Sequence, residues 1–300
     1  MTEAQIRVRA PGKINLSLGV GRCREDGYHP LSTVFQAVSL YEEVTAGPAP
    51  ELTVTVTGAQ AELVPVDATN LAWRAAQLLA DTVGLEPMVH LQIHKGVPVA
   101  GGMAGGSADA AAALLACDAL WGTGLSRAEL TELAAELGAD VPFALLGHTA
   151  VGSGRGDVLS PAMSRGRYHW ALALRDEGLS TPSVYARFDA LADLLVGDAP
   201  EPDRALLSAL RTGDPELVGR ALGNDLEPAA LELAPELVET ARVAEEAGAL
   251  GVVVSGSGPT VAVLGRSPQH ALALQAALTA AGVADHVLGA HGPVPGARIV

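Results

Sequence analysis

Three hundred residues and 30.5 kDa allow two domains of about 150 residues or one large one. Apolar residues make up 49% of the chain, which supports a sizeable core and excludes disorder as the main state. Acidic residues outnumber basic ones 34 to 19, a formal charge of −15, so the surface repels nucleic acid and anionic membrane. Any phosphate the chain binds must therefore meet a locally positive site. Cys23 and Cys117 cannot build a disulfide framework and have no metal-ligand spacing. Met1 to Gln5 hold no apolar signal core, and the uncharged run Ala247 to Gly265 is broken by glycines, serines and Pro259. The expectation is a soluble, cytoplasmic protein with a small-molecule partner, no nucleic-acid or membrane partner, and no assigned oligomeric state. Only two of the 19 basic residues are lysines, Lys13 and Lys95. A compact ammonium does work that a planar guanidinium cannot, so both positions draw notice.

In chain order, the first third reads as mostly extended. Ile6 to Ala10 alternates, Ile14 to Val20 is an apolar stretch, and Leu52 to Thr57 is β-branched with period two. Asn70 to Val83 has helical spacing. Val89, Leu91 and Ile93 alternate with polar neighbours as a strand with one buried face. A glycine loop follows Lys95, then an alanine-rich helix from Ala108 to about Trp121. Ser126 and Glu129 form a capping box for the next helix, which Gly138 stops. Asp140 before Pro142 marks another helix start. The chain turns Gly- and Ser-rich from Gly152 to Pro161, which places a domain boundary near residue 165. Beyond it the pattern predicts a strand (Tyr168 to Leu174), short helices between Ser183 and Leu222, and a helix from Pro235 to Ala247. Last come strands 251–254 and 260–264, helix 268–281 and strand 283–289, the order of a split βαβ sandwich. The class is α+β with two domains, 1–165 and 166–300.

The strongest local feature is Pro98 to Asp109, between a strand and a helix. Gly101, Gly102, Gly105 and Gly106 let backbone N–H groups approach a ligand, and a helix starting at Ser107 adds its unpaired donors and positive dipole end. That combination binds anions; the same residues also read as a plain connector with Ser107 or Asp109 capping the helix. It lacks the GK[ST] ending of a P-loop and the G-x-G-x-x-G register of a dinucleotide site. Ser255 to Thr260 reads either as a hairpin turn or as a backbone nest supporting the first glycine loop. Lys13 and Asn15, two apart on a strand, point to one side. Lys13 also fits a solvated surface charge, and Asp140 a helix N-cap.

Taken together and in order, APGKINLSL, PVAGGMAGGSADAA, GADVPF and GVVVSGSGPTVAV resemble the motifs of the GHMP small-molecule kinases over about 255 residues, from Ala10 to Leu264. REDGYHPLSTVFQ, GADVP and GNDLEP resemble one branch of that superfamily. The resemblance implies a two-domain GHMP kinase fold: a ribosomal protein S5 domain 2-like N-terminal domain and a ferredoxin-like C-terminal domain. It also implies ATP-dependent phosphorylation of the 2-hydroxyl of 4-(cytidine 5′-diphospho)-2-C-methyl-D-erythritol, in the non-mevalonate isoprenoid pathway. Pro98, Val99, Ala100, Gly101, Gly102, Met103, Ala104, Gly105, Gly106, Ser107 and Ala108 would wrap the triphosphate, backed by Gly256, Ser257 and Gly258. Asp140 would take the proton of the acceptor hydroxyl beside Lys13, which offsets charge on the transferring phosphoryl group. Asn15 would help place the acceptor. Tyr28 would stack on the cytosine, His29 would bond its edge, and Tyr185 would close the other side. Mg²⁺ would accompany ATP, with no protein metal ligand assigned.

The chain departs from the family pattern at Ala108, where a second serine is common, and at Ala100, where a glycine is common. Any hydroxyl role there falls to Ser107 or to water. Two rival readings stay open beside this one: a kinase for another small alcohol, such as homoserine or mevalonate, and a ligand-binding protein of the same fold. The DGYH and GNDLEP segments argue against the first, and the presence of Lys13 and Asp140 against the second.

Overall fold

The extended first third supplies four strands of an eight-stranded sheet. A computed structural model describes residues 5–191, 197 and 200–300. The reading of Met1 to Ala4, and the part of the expected helical stretch at 192–196 and 198–199, lie outside the described residues. β1 (Ile6–Val20) joins the two stretches read separately into one strand, pairing antiparallel with β2 (Leu31–Pro48). Residues 32–38 of β2 are buried on both faces, so this strand carries no period-two signal in its first half. β3 (Thr53–Gly58) runs parallel to β4 (Val89–Lys95), and β4 pairs with β2. β5 (Thr149–Gly154) extends β2 on its other part, and β6 (Val158–Pro161) follows β5.

Helix α1 (Leu71–Val83) is capped by the Asn70 side chain, which accepts from Ala72 N and Trp73 N. α2 (Gly105–Trp121) is buried nearly all round, as its run of Ala and Leu from Ala110 to Ala116 favours. Its alanines share one core cluster with Ala72, Ala75 and Ala76 of α1, small side chains that let two helix backbones approach closely. The expected capping box at α3 (Arg127–Leu137) is complete in both directions. α4 (Val141–Leu146) then begins with Asp140 at its N-cap position.

The second sheet comprises β7 (Tyr168–Leu174), β9 (Gly251–Val254), β10 (Val261–Gly265) and β11 (His286–Gly292), all antiparallel in the order β11-β7-β10-β9. With α9 (Glu236–Glu246) and α10 (Pro268–Ala281) it forms the ferredoxin-like arrangement. Helices α5 (Thr181–Leu191), α6 (Arg204–Thr212) and α7 (Pro215–Arg220) fill the expected helical stretch, and α8 (Glu227–Leu233) follows beyond it where no helix was expected. Two short strands return to the first sheet: β8 (Gly223–Asn224) runs parallel to β1, and β12 (Arg298–Ile299) pairs with its outer edge. Among the described residues, no helix is long and apolar enough to cross a membrane.

The two sheets share a core. Ile14, Leu16, Val34 and Val38 of the first pack with Trp170, Leu172, Ala262 and Leu264 of the second. Trp170 is fully buried, and its Nε1 donates to Gln36 Oε1 at 3.1 Å. Trp170→Ala is expected to cost about 3–5 kcal/mol in urea denaturation, because a cavity opens where the halves meet. Far-UV dichroism and intrinsic fluorescence should report one coincident transition; separate transitions would show that the halves unfold independently.

Candidate active site

The strand β1 carries the first group. A register shift between Pro11 and Gly12, and another between Asn15 and Ser17, interrupt its pairing with β2 around Lys13. Lys13 and Asn15 do share one side: Lys13 Nζ donates to Asn15 Oδ1 at 2.8 Å and to Gly102 O at 2.9 Å. Lys13 is 6% exposed, so the surface-charge reading fails. Asn15 Nδ2 donates in turn to Thr33 Oγ1 at 2.8 Å, which donates to Ser17 O at 2.7 Å. Asp140 sits at the start of α4 but its side chain caps nothing; its Oδ2 faces Lys13 Nζ at 3.9 Å.

Neither Ser107 nor Asp109 caps α2. The helix begins two residues earlier than expected, and its N-cap is Ala104 in the left-handed region with no side-chain acceptor. The first-turn N–H groups of Gly105, Gly106 and Ser107 are therefore left for an anion. Ala100 adopts φ 56°, which costs a residue with a Cβ about 1–2 kcal/mol. The side chains of Met103 and Ala108 point into the two cores, so these two positions offer the cleft backbone alone.

The second glycine segment seats the first. Thr260 Oγ1 donates to Gly101 O at 2.5 Å, and a Cβ on Gly102 would stand 2.8 Å from Ser255 O and 2.9 Å from Gly258 O. The GNDLEP segment holds that turn in place. Asn224 Nδ2 donates to Val254 O and Gly256 O, Asp225 Oδ2 accepts from Val20 N, and Glu227 Oε2 accepts from Val254 N.

Three adjoining hollows meet here. A cleft of about 300 Å³ is lined by Lys13, Asn15, Thr33, Gly102, Ala104, Ser107, Asp140, Gly256 and Ser257. Leu31, Ala139, Arg155, Thr181 and Tyr185 line both this cleft and a wider pocket of about 660 Å³, which adds Tyr28, His29 and Asp189. On the far side of the glycine loop, Pro98, Val99, Ala100, Gly105 and Gly106 face Pro65, Thr69, Asn70 and Leu71 across about 240 Å³. Tyr28 is 55% exposed, so it is no core tyrosine; the Arg155 guanidinium lies over its ring, 5.3 Å from the centroid. His29 is held by α5, with Asp189 Oδ1 at 2.8 Å from Nε2 and the Tyr185 ring 4.9 Å away. Burial and the nearby Asp140 charge push the Tyr185 hydroxyl up to about 12. A separate hollow of about 560 Å³ on the first sheet's outer face holds none of the motif residues, and its Arg9 is spent on Glu43.

Family models described as "GHMP kinases N terminal domain" and "GHMP kinases C terminal" match residues 70–148 and 206–284. The chain belongs to the GHMP kinase family. It is 55% identical over 297 residues to the 4-diphosphocytidyl-2-C-methyl-D-erythritol kinase of Nocardia farcinica, covering 98% of this chain and 96% of that one. A solved crystal structure of 4-(cytidine 5′-diphospho)-2C-methyl-D-erythritol kinase superposes with TM-score 0.78 at 34% identity, covering 95% and 98% of the two chains. Homoserine kinase from Cytophaga hutchinsonii superposes with TM-score 0.79 at 19% identity over 100% and 98%, a likeness of fold alone.

Arg155, Thr181 and Thr33 of this GHMP kinase escaped the sequence reading. Arg155 lies in the Gly- and Ser-rich stretch read as a boundary, and only Thr181's closeness to Tyr185 in STPSVY could have flagged it. The second lysine was flagged without a role. Lys95 Nζ lies 2.6 Å from both Glu42 Oε1 and Asp109 Oδ2, beneath the start of α2. Burial pushes the Glu42 carboxyl up to about 8, aided by the Asp109 charge and opposed by Lys95 and the Gly96 N–H. Asp109 is likewise raised by burial, while the two carboxylates hold Lys95 above its ordinary value against burial.

A raised carboxyl means that the folded chain holds its proton more tightly than the unfolded chain. That stabilisation is complete below the ordinary value and is lost as pH rises through about 8. The melting temperature of the wild type should therefore fall between roughly pH 5 and 9. Glu42→Gln, which has no such proton to lose, should show a shallower fall in scanning fluorimetry. Equal slopes would show that the triad does not change charge in this range.

Proposed function

We propose that this GHMP kinase transfers the γ-phosphoryl group of ATP to the 2-hydroxyl of 4-(cytidine 5′-diphospho)-2-C-methyl-D-erythritol. The observation that carries the reading is the convergence of Lys13, Asp140 and the α2 N-terminus where an aromatic pocket and a glycine loop meet. Full-length identity of 55% to a kinase of that name supports the acceptor. In the same reading the N-terminal ATP-binding domain spans 1–165 and the C-terminal domain 166–300, supported by the change of sheet between β6 and β7.

The triphosphate lies along the backbone donors of residues 98–108, with the nucleoside in the hollow beside Asn70. The cytosine lies between Tyr28 and Tyr185, with His29 at its edge, and Arg155 faces the acceptor's diphosphate where the two hollows join. Asp140 accepts the hydroxyl proton as the oxygen attacks, and Asn15 orients Lys13 while it offsets charge on the transferring oxygens. Charge stabilisation is the main catalytic term in such reactions, because there is little covalent work for the protein to do. The Ser107 hydroxyl at the cleft would suit a hard cation that keeps most of its ligands as water and phosphate. Mg²⁺ held there with ATP would supply charge neutralisation at the phosphates.

ADP release measured with and without the cytidyl acceptor, and with homoserine or mevalonate instead, tests the reading; turnover only with the cytidyl acceptor is expected. Asp140→Ala should lower kcat by about 10²–10⁴. A near-normal rate in a folded variant would remove the base from Asp140. Tyr28→Ala should raise KM for the acceptor by about 5- to 150-fold, the worth of one base–aromatic stack, and leave KM for ATP in place. Equal effects on both constants would move the cytosine elsewhere.

A further inference from the structure

The two cysteines have no ligand spacing along the chain, yet the fold brings one of them into a set. Cys23 and His29 of the β1–β2 loop meet Asp189 of α5, with one ligand atom from each within 4.8 Å of the others. We propose that Cys23, His29 and Asp189 bind a zinc-class divalent transition metal at the mouth of the wider pocket. A thiolate sulfur, an imidazole nitrogen and a carboxylate oxygen are the donors that hold such a metal, with a fourth position open. Tetrahedral bonds of about 2.0–2.3 Å set donors roughly 3.3–3.8 Å apart, so small side-chain rotations close this set.

The surroundings favour assembly of that site. His29 is the fixed member: its ring lies 4.9 Å from the Tyr185 ring and 6.1 Å from that of Phe188, with Nε2 already 2.8 Å from Asp189 Oδ1. Tyr185, Phe188 and Asp189 occupy one face of α5, so the helix that packs the ring also delivers the carboxylate. Cys23 is the adjustable member, exposed, with its Sγ 3.6 Å from the Arg24 carbonyl. On binding, the thiol proton goes to solvent as the sulfur–metal bond forms, and the imidazole binds as the neutral ring. One consequence rests on the function proposed above: a metal on His29 removes the group that meets the cytosine edge, so metal and acceptor exclude each other.

Co²⁺ titrated into the full-length, metal-free protein is the test. A thiolate-to-cobalt charge-transfer band that saturates at one equivalent and is displaced by Zn²⁺ is expected. Cys23→Ser should abolish the band, Asp189→Asn should weaken binding roughly tenfold or more, and Cys117→Ser, at a buried site, should keep it. No band at one equivalent, or a band that survives Cys23→Ser, overturns the site. A kinetic arm separates this failure from that of the acceptor reading, because Zn²⁺ should raise KM for the acceptor in the wild type and far less in Cys23→Ser. The expected band with an unchanged KM would overturn the role of His29 at the base and leave the metal site standing.

Discussion

Lys13 draws four separate stretches of the chain to one point. Its ammonium donates to Asn15 on the same strand and to the Gly102 carbonyl, and it faces Asp140 at the start of α4. A Cβ placed on Gly256 would stand 3.5 Å from its Nζ. This arrangement depends on the contact between the two glycine segments, because Gly102 can present its carbonyl to Lys13 only while lying on the 255–258 turn. Both loops must come within backbone contact, and at φ 70° with carbonyls under 3 Å from any Cβ, position 102 excludes every residue but glycine. The GNDLEP segment belongs to the same constraint. It contributes polar ties from Asn224, Asp225 and Glu227 to the turn and to β1, and Leu226 to the cleft wall.

A chain of net charge −15 that binds two polyphosphates faces an electrostatic conflict. Screening resolves part of it, since exposed carboxylates more than about 8–10 Å from the cleft contribute little at physiological salt. Local geometry resolves the rest. Lys13, Arg155 and the first turn of α2 all line or border one cleft, and none of the three depends on net charge. Backbone donors are well suited here: they carry no counterion to displace and lose no side-chain entropy on binding.

How legible this was in the sequence depended on whether a residue's role is local or assembled. The glycine loop, the capping box at Ser126 and the β-α-β order of the C-terminal half are written in neighbouring residues and follow from spacing alone. The glycine turn at 255–258, Lys13 and Asp140 each had an equally good local explanation; their convergence across 243 positions of sequence sets them beside one cleft. β2 was lost because burial on both faces erases alternation, β5 because glycine and serine make up half of it, and β6 because four residues ending in proline are too short to show a period. Arg155 was lost with them, as one arginine among 17 in a stretch that reads as linker. Asp109 was read as a possible cap, and the fold spends it instead on a buried ion pair with Lys95.

That ion pair explains why this arginine-rich chain keeps a second lysine. Lys95 is 4% exposed and lies 2.6 Å from two carboxylates that are themselves buried. A guanidinium offers its donors in one plane and fills more volume, whereas a compact ammonium meets two converging carboxylates from a single point. Gly105 leaves no slack above it, since a Cβ there would stand 2.9 Å from Glu42 Oε1. Replacing a buried ionic group by apolar residues is often neutral or stabilising, so stability alone gives weak reason to keep the triad. Its position gives a better one. Glu42 accepts from the Gly96 N–H at the entry of the glycine loop, and Asp109 sits in the second turn of α2 at the exit. The Lys95 ammonium thereby ties the two ends of the loop across its base, fixing the direction in which the α2 donors point. Apolar side chains of the same volume would fill that space and leave the direction unspecified.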